Sequence, residues 1–296
     1  MLLLLTISGD GTSDRIVDRL GSSVFRYNFD QLSQYKLSFG VDAFEIINPA
    51  GHRISSEDAH SVFWWKAFSA VEHELDKFFI AEGKYIFFEI YNWFQDRGMV
   101  KGNSVRFHNR FGKINILSKA RNYFDVPETV YSFGLLGEDI VPKNNRITKS
   151  LSSEPTSNGT VLFTKDISNK SLDPSFPWFL QTKISSSYDI TCFLVDGKLF
   201  CFSRNRRMLS GLDWRAEQTF DPNVQEWEPY SLSETEIKSL LKLSAELGVE
   251  WGRYDFMLGE EGELVFLEFN ANGQFVFLDY WEKHGIMDAV IEYLQR

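Results

Sequence analysis

The sequence predicts an α/β protein of the α+β type, in which helices and strands alternate along the first part of the chain and strands dominate the second. Two patterns lead to this prediction: short apolar runs bounded by turn residues, which are typical of strands, and longer stretches with apolar residues at helical spacing. At 296 residues, with a hydrophobic content of 43%, the chain is long and apolar enough for about two domains with sizeable cores.

The N-terminal part of the chain alternates between strand and helix signals. Met1–Ser8 is apolar but lacks a positively charged start and is too short to span a bilayer, so it predicts a buried first strand. Turn residues follow, and Ser13 is expected to cap a short helix. Ala70–Gln95 lacks proline, contains a single glycine and repeats apolar residues at helical spacing, which predicts a long buried helix. Asn103–His108 predicts a strand and Arg110–Tyr123 a helix.

Two further predicted strands, Arg146–Leu151 and Thr160–Lys165, flank the segment SSEPTSNG. This segment is rich in Ser, Thr, Pro and Gly and has no apolar anchor, so we expect a mobile loop. From the residues alone, an ordinary hairpin connection is the better explanation of its composition.

A regular hairpin and a capped helix are predicted further along the chain. The turn Asp196-Gly197 joins two alternating segments and places Cys192 directly across from Cys201 on one face of a sheet. The sequence SETE has the spacing of a capping box and predicts a helix over Glu234–Leu247.

The segment GRYDFMLGEEGELVFLEFNANGQFVF, which begins at Gly252, predicts a second hairpin. With its turn centred on GEEG, Leu258 pairs with Glu263. Asp255 then lies opposite Phe266, one diagonal step from Glu268. One face is wholly apolar, and the other carries two acids and an amide at its open end. The apolar face comprises Tyr254, Phe256, Leu258, Val265, Leu267 and Phe269, and the polar face comprises Asp255, Glu268 and Asn270.

The polar face of this hairpin predicts a metal site. Asp255, Glu268 and Asn270 offer hard oxygen ligands, which suit a Mg2+ ion that keeps several waters and bridges to substrate phosphates. The alternative is a half-exposed hairpin whose polar face meets water. That alternative explains poorly why an acid and an amide interrupt the apolar run VFLEFNA, where an unpaired carboxylate costs several kcal/mol.

The composition argues against several classes of partner. The formal net charge is -10 and the isoelectric point is about 5.1, whereas nucleic-acid and anionic-membrane surfaces need a basic footprint. We therefore expect neither a nucleic acid nor a membrane as a partner. The two cysteines give no disulfide framework, which favours a reducing cytoplasm.

The order of these features resembles the ATP-grasp superfamily: a lysine on a strand, a Ser/Thr/Gly loop, a Gln-containing strand, a hairpin, a helix, and then Asp and Glu-x-Asn. Within it, the chain resembles the graspetide maturases, the microviridin-type ligases that install side-chain ester or amide crosslinks in ribosomally made peptides. The matching pieces are RYNFDQL at Arg26, SVFWWK at Ser61, KINILSKARNYFDVPETVYS at Lys113, RITKSLSS at Arg146, FLQTKI at Phe179, LDWRAEQ at Leu212, GRYDFM at Gly252 and FLEFNANGQF at Phe266.

The resemblance implies an ATP-grasp fold, with an N-terminal pre-ATP-grasp α/β domain over residues 1–125, a central lid subdomain over 126–184 and a C-terminal antiparallel domain with the metal site over 185–296. It implies ATP and Mg2+ as cofactors and a precursor peptide, leader plus core, as the partner. Asp and Glu side chains of that peptide would be activated as acyl phosphates and joined to Ser, Thr or Lys side chains of the same peptide. We also expect a homo-oligomer, in the simplest case a dimer.

The resemblance also implies a nucleotide site. Lys149 would neutralise the α- and β-phosphates, with Lys113 as a second lysine at the same pocket. The loop from Ser152 to Gly159 would close over the triphosphate with its backbone N–H groups. Either lysine could instead be a solvated surface residue. The residues that would grip the adenine are Gln181, Lys183 and Ile184.

Arg215, in the piece LDWRAEQ, is assigned by the resemblance to stabilising the acyl phosphate. From the residues alone, a structural salt bridge to a nearby acid explains this arginine about as well. Lys149 is the second catalytic candidate. The basic run RNRR, which begins at Arg204, is best explained as a solvated loop. It is also the densest basic patch of an acidic chain. Arg206, Arg207 and Asp213 are therefore the candidates for contacts to the peptide.

The chain departs from the resemblance at three positions, and it also lacks the glycine that usually precedes FDVPET. Thr191 stands where an arginine usually follows an acidic and an aliphatic residue, which removes a cation from the site. Ala271 stands where proline usually follows the metal-binding Glu and Asn, and Phe275 replaces a tryptophan. Because the acidic triplet is intact, these differences suit a divergent subgroup, such as the grasp-with-spasm group, better than an inactive protein.

Three functions remain open at this point. The first is the peptide maturase. The second is an ATP-grasp ligase that joins a carboxylate of an amino acid or a protein tail to an amine. The third is a nucleotide-binding module without catalysis, in which Thr191 reports a lost activity.

Overall fold

The computed structural model describes residues 1–68, 76–103, 112–151, 164–206, 212 and 227–296. Its mixture of helices and strands confirms the predicted fold class. In chain order the described strands are β1 (Leu2–Thr6), β2 (Val24–Asn28), β3 (Lys36–Phe39), β4 (Phe44–Ile47), β5 (Arg53–Ser55), β6 (Ser61–Trp64), β7 (Val100–Lys101), β8 (Thr129–Ser132), β9 (Arg146–Thr148), β10 (Lys165–Asp166), β11 (Trp178–Thr182), β12 (Tyr188–Val195), β13 (Lys198–Asn205), β14 (Glu228–Pro229), β15 (Trp251–Leu258) and β16 (Leu264–Asn270). The described α-helices are α1 (Gly11–Leu20), α2 (Lys77–Gln95), α3 (Lys113–Ala120), α4 (Glu234–Leu247) and α5 (Ile286–Gln295).

The N-terminal sheet is parallel and has the strand order β2-β1-β6-β7. β1 lies between β2 and β6, and all of its residues are buried, as the apolar start of the chain predicts. A parallel strand that is covered on both faces needs a continuous apolar run, which explains the four consecutive leucines. The side chains of α2 pack on this sheet and on the small antiparallel sheet of β3, β4 and β5.

The first helix begins earlier than the sequence predicts. Its N-cap is Asp10, so the prediction of Ser13 as the cap is wrong. One carboxylate oxygen of Asp10 accepts hydrogen bonds from the backbone N–H of Ser13 at 2.7 Å and from its hydroxyl at 2.9 Å. The indole N–H of Trp65 donates to the same oxygen at 2.9 Å. Asp10 is a preferred N-cap residue type, and this long-range bond holds its carboxylate further in place.

The other N-terminal predictions are met in part. The long helix ends at Gln95 as predicted and starts after the N-cap Asp76, while residues 69–75 of the predicted span lie outside the described residues. The predicted strand Asn103–His108 lies almost wholly outside the described residues. The following helix is shorter than predicted and spans α3.

The remaining strands of the described chain form two antiparallel sheets. The smaller one has the order β10-β9-β11-β8, and the larger one has the order β14-β13-β12-β15-β16. In the larger sheet the predicted pairing of Cys192 with Cys201 is confirmed, and so are the capping box and both ends of α4.

The five-stranded sheet is buried on both faces. On one face Cys192 and Leu194 pack with Leu243 of α4 and with residues of α3. On the other face Phe193 and Val195 pack with α5 and with the N-terminal sheet. Because alternate residues of a strand point to opposite faces, Asp189 and Thr191 share the second face, further along β12. That face therefore passes from an apolar core to a polar region, and the candidate site lies there.

Candidate functional site

The hairpin of β15 and β16 contains a β-bulge that brings the acidic residues together. From Leu258 to Phe256 the strands pair regularly, ending with Phe256 opposite Phe266. The next pair is Asp255 opposite Glu268, so Leu267 is an additional residue on β16. The predicted register is therefore wrong: Leu258 pairs with Leu264 instead of Glu263, and Asp255 lies opposite Glu268, two residues beyond the predicted Phe266. In the observed register the carboxylates of Asp255 and Glu268 are closer than predicted, because the two residues face each other directly.

The bulge also changes which residues form the apolar face. Without it, Glu268 would share the face of Phe266, which is fully buried in the core. The additional residue reverses the alternation, so that Phe269 points into the core and Glu268 points to the polar side. Val265 and Leu267 were expected on the apolar face. Their places there are taken by Leu264 and Phe266.

Asp255 is held by donors from three directions. The guanidinium of Arg253 donates to both carboxylate oxygens, each at 3.0 Å, and the hydroxyl of Thr191 donates to one of them at 2.8 Å. The amide nitrogen of Asn270 donates to the other at 2.8 Å. Such a carboxylate is fixed in position, because a bidentate arginine pair adds geometric specificity to the charge interaction.

Glu268 faces the lysines that the resemblance implies. Its carboxylate lies 3.6 Å from Nζ of Lys113 and 3.9 Å from Nζ of Lys149, and the amide of Asn270 donates to it at 3.3 Å. The side chain of Lys149 is 12% exposed, against 28% for Lys113. The structure thus brings both predicted lysines to the predicted acid, and Lys149 is the more enclosed of the two.

These residues fit a Mg2+ ion. Across the described residues no cluster of three or more His, Cys, Asp or Glu side chains is found, since the third member of this set is an amide. Asn270 lies within hydrogen-bond distance of both Asp255 and Glu268. Rotation of the Asn270 amide would exchange its nitrogen for its oxygen and complete a set of three oxygen donors, which Mg2+ prefers.

A pocket extends from this polar cluster between the two antiparallel sheets. Its walls include Lys149, Asp255 and Glu268 at one end and apolar side chains from both sheets, which suits a flat ring system. Three predicted residues of the adenine grip line it: Gln181, Lys183 and Ile184.

The side chains of this predicted grip have partners within the protein. Gln181 is buried and donates to the hydroxyl of Thr129 at 3.0 Å. Lys183 forms an ion pair with Asp166 at 2.8 Å, and this hydrogen bond is the main reason why the pKa of Asp166 lies below its usual value. The side chains of Gln181 and Lys183 therefore support the wall of the pocket, and Ile184 contributes an apolar surface.

Arg206 lies in the same pocket wall, in a buried ion pair. Its guanidinium donates to Asp189 at 2.5 Å and to the carbonyl of Leu212 at 2.8 Å, and its side chain is 10% exposed. Burial raises the pKa of Asp189, and the charge of Arg206 opposes that shift. Arg206 is therefore not a solvated loop residue, which was the alternative interpretation of the run RNRR. The predictions for Ser152, Gly159, Arg207, Asp213 and Arg215 lie outside the described residues.

One site residue was missed by the sequence reasoning. Arg253 is 7% exposed and binds Asp255 through Nε and Nη2. Its third nitrogen, Nη1, donates to the carbonyl of Gln274 at 2.9 Å. It stands two residues before Asp255 on the same strand, so the alternation of side chains places both on one face. The spacing of two residues between Arg253 and Asp255 in GRYDF is the sequence signal from which this site residue could have been predicted.

The fold was compared with known proteins. No protein-family model and no curated protein matches the chain. Among solved structures, an ATP-grasp ligase associated with a ribosomally made peptide of Chryseobacterium gregarium, in complex with ADP and a leader and core peptide, has a TM-score of 0.84 at 22% identity, covering 99% of this chain and 96% of that one. The macrocyclase MdnC of Microcystis aeruginosa MRC, bound with precursor peptide MdnA, has a TM-score of 0.79 at 19% identity, covering 99% and 98%.

A more distant match is the D-cycloserine synthetase DcsG, with a TM-score of 0.55 at 13% identity and 99% of each chain covered. At these identities the likeness concerns the fold, and it extends over nearly the whole of each chain. The fold prediction is thereby confirmed: the chain has the fold of the ATP-grasp ligases.

Proposed function

We propose that this protein is an ATP-dependent ligase that matures a ribosomally made precursor peptide by joining Asp or Glu side chains to Ser, Thr or Lys side chains of the same peptide. The observation that carries the proposal is the meeting of Asp255, Glu268 and Asn270 with Lys149 at one end of a pocket. Both the cluster and the pocket belong to a fold shared with ligases that were solved with ADP and precursor peptides.

Two groups of residues in the pocket suit ATP and a metal. Asp255, Glu268 and a rotated Asn270 would hold Mg2+, which supplies neutralisation of the β- and γ-phosphates when bound. Lys149 would place a further positive charge at the phosphates, and Lys113 would neutralise Glu268 at 3.6 Å. The apolar walls beside Ile184 would then receive the adenine.

The chemistry proceeds in two steps. In the first, an oxygen of the substrate carboxylate attacks the γ-phosphorus, the bond from that phosphorus to the bridging oxygen breaks, and ADP leaves. In the second, a hydroxyl or amine attacks the acyl carbon, inorganic phosphate leaves with the bonding electrons, and the proton of the nucleophile passes to solvent. The activation is required because a carboxylate does not condense with an alcohol or amine at neutral pH.

The choice of a peptide substrate is supported by the neighbours. The C. gregarium ligase was solved with a leader and core peptide, and MdnC with its precursor. We therefore propose a leader-plus-core precursor as the partner, with Arg206, Arg207 and Asp213 as candidate contacts and Arg215 as the candidate that stabilises the acyl phosphate. We also keep the domain division at residues 125 and 184 as a proposal, and the dimer remains a prediction.

A cytoplasmic location is part of the same proposal. Both cysteines are free thiols, as a reducing compartment favours. Among the helices that the structure describes, none is both long enough and apolar enough to cross a bilayer.

The mass of the product tests the proposal. The protein is incubated with ATP, Mg2+ and a leader-plus-core precursor peptide whose core contains Asp or Glu and Ser or Thr residues, and the intact peptide mass is recorded. Each crosslink should remove one water and lower the mass by about 18 Da, because no second molecule is added. Brief alkaline treatment restores the water to an ester and leaves an amide unchanged, so it distinguishes the two bond types.

Two variants serve as controls for the mass experiment. Glu268→Gln removes one proposed metal ligand and should form no product. Glu263→Gln makes the same change near the turn of the same hairpin, outside the nucleotide pocket, and should react like the wild type. A product that gains the mass of an amino acid would instead support the carboxylate–amine ligase. ATP binding without any product would support the non-catalytic module.

A further inference from the structure

A second pocket meets the nucleotide pocket at Arg253. This second pocket lies between the start of α1 and the segment that follows β16. Arg253 contributes to the walls of both pockets, whereas Asp255 and Glu268 line only the nucleotide pocket. The Arg253 guanidinium is thus at the junction where a group entering from one pocket would meet a phosphate bound in the other.

The two pockets differ in charge. Within the described part of the chain, the lining of the second pocket carries the cations Arg15, Lys66 and Arg253 and no carboxylate. Lys66 has a left-handed backbone with φ of 53°, and burial lowers the pKa of its amine. Arg15 and Arg253 have acidic partners outside this lining, Glu282 at 3.4 Å and Asp255 at 3.0 Å, so the surface itself presents cations and no acid, which favours an anionic group. A carboxylate is the anionic group that the proposed reaction consumes.

Arg253 also lies close to the position at which a cation is missing. The resemblance implies an arginine at position 191, but the chain has Thr191, directly opposite Asp255 on the neighbouring strand. Arg253 is two pairs further along, opposite Phe193. The positive charge is therefore present on the same sheet face, on β15 instead of β12.

The contacts of Arg253 hold it in place and leave donors for a ligand. A guanidinium has five N–H donors, and the hydrogen bonds to Asp255 and to the carbonyl of Gln274 use three of them within the described residues. Gly273 packs against its stem, since a Cβ on that glycine would lie 2.7 Å from the Cβ of Arg253. An arginine fixed in this way is preorganised for an oxyanion.

We propose that Arg253 binds the reacting carboxylate of the substrate and the acyl phosphate formed from it, in place of the arginine expected at position 191, and that Lys66 assists it from the second pocket. This inference rests on the proposed function and assigns the residue that recognises the acidic side chain. The carboxylate approaches from the second pocket and accepts hydrogen bonds from the free N–H groups of Arg253. The same groups then face the charge that develops on the acyl phosphate.

Peptide binding tests the inference without catalysis. Affinity is measured in the presence of ADP and Mg2+ for the precursor peptide and for a version in which every Asp and Glu of the core is Asn or Gln. The wild type should bind the acidic core about tenfold more tightly than the amide core, because only a carboxylate gains a charge-assisted bond. In Arg253→Met this preference should disappear. An equal loss of affinity for both peptides would overturn the inference.

Turnover provides a second readout. Arg253→Met should lower the rate of product formation by about 100-fold or more, in line with the loss of one oxyanion donor. Its affinity for ADP measured without Mg2+ should remain within about threefold of the wild type, because no proposed metal ligand is then involved. The double variant Arg253→Met with Thr191→Arg restores a cation on the same face and should recover at least about tenfold of the lost rate. A rate in Arg253→Met equal to that of the wild type would overturn the inference.

A buried arginine elsewhere provides the matched control. Arg146 is 2% exposed and binds Glu138 and the carbonyl of Lys170, outside both pockets. Arg146→Met should reduce thermal stability without changing the preference for the acidic peptide. If the proposed function is wrong, the wild type forms no dehydrated peptide. If only this inference is wrong, the wild-type product is unchanged and only the comparison with Arg253→Met differs from the expected result.

Discussion

Two hairpins of the five-stranded sheet have different geometry and different tasks. In the hairpin of β12 and β13, pairing runs without interruption from Val195 opposite Lys198 to Tyr188 opposite Asn205. In the hairpin of β15 and β16, a bulge at Leu267 interrupts the pairing next to Asp255. The regular hairpin supplies core residues on both faces, and the bulged hairpin supplies the acidic cluster.

The difference shows how a strand can carry both a core and a site. Leu264, Phe266, Glu268 and Asn270 have the same spacing of two, so a regular strand would direct all of them to one face. The bulge reverses the alternation after Phe266, which leaves the apolar pair in the core and turns the acid and the amide towards the pocket. Bulges are often found next to active sites for this reason.

The largest effect is expected when the acid beside the bulge is neutralised. Asp255→Asn should abolish product formation and also lower the free energy of unfolding by about 3 kcal/mol, because it leaves the buried Arg253 guanidinium without its carboxylate. Product mass and chemical denaturation measure the two effects. Glu268→Gln should lose the activity with a smaller loss of stability, since its lysines lie at 3.6 and 3.9 Å. An equal loss of stability in both variants would contradict the central position of the Arg253 pair.

A smaller effect is expected at the lysines that face Glu268. Lys149→Ala should weaken ADP binding by about tenfold, because a cation that lines the pocket and is largely enclosed is removed. Lys113→Ala should weaken it less, since that lysine is more exposed and does not line the pocket. Titration calorimetry with ADP and Mg2+ compares the two. A larger effect in Lys113→Ala would reverse their assigned roles.

The smallest effect is expected in the regular hairpin. Gly197 has φ of 76° in the two-residue turn, so Gly197→Ala should cost about 1 kcal/mol of stability through the backbone alone, as no atom lies near the added Cβ. Product formation should be unchanged. Gly9→Ala, where φ is outside the left-handed region and space is also open, is the matched control and should be close to neutral. Reduced turnover in Gly197→Ala would show that the regular hairpin also contributes to the chemistry.

Local signals predicted several parts of the fold correctly. The apolar first strand, the turn Asp196-Gly197 with Cys192 opposite Cys201, and the capping box of α4 each depend on residues near one another in sequence. The convergence of Asp255, Glu268 and Asn270 was also expected, because strand alternation and a short turn bring them near.

Other parts of the site were decided by contacts between distant segments. Trp65 binds the carboxylate of the cap residue Asp10 from a distant segment, and the register of β16 follows from the burial of Phe266 and Phe269 against helices that the hairpin sequence does not contain. The pairing of Arg206 with Asp189 likewise depends on how two strands align.

The sequence by itself determined that the chain is an acidic α/β protein with a hairpin carrying two carboxylates and an amide, because periodicity, turns and caps act over a few residues. Only the tertiary structure decided the register that sets Asp255 directly opposite Glu268, and that Arg253, on the strand beside Thr191, supplies the cation at Asp255. The physical reason is that a bulge and an ion pair between strands are selected by packing and charge across the whole sheet, and the local pattern of residues is compatible with more than one register.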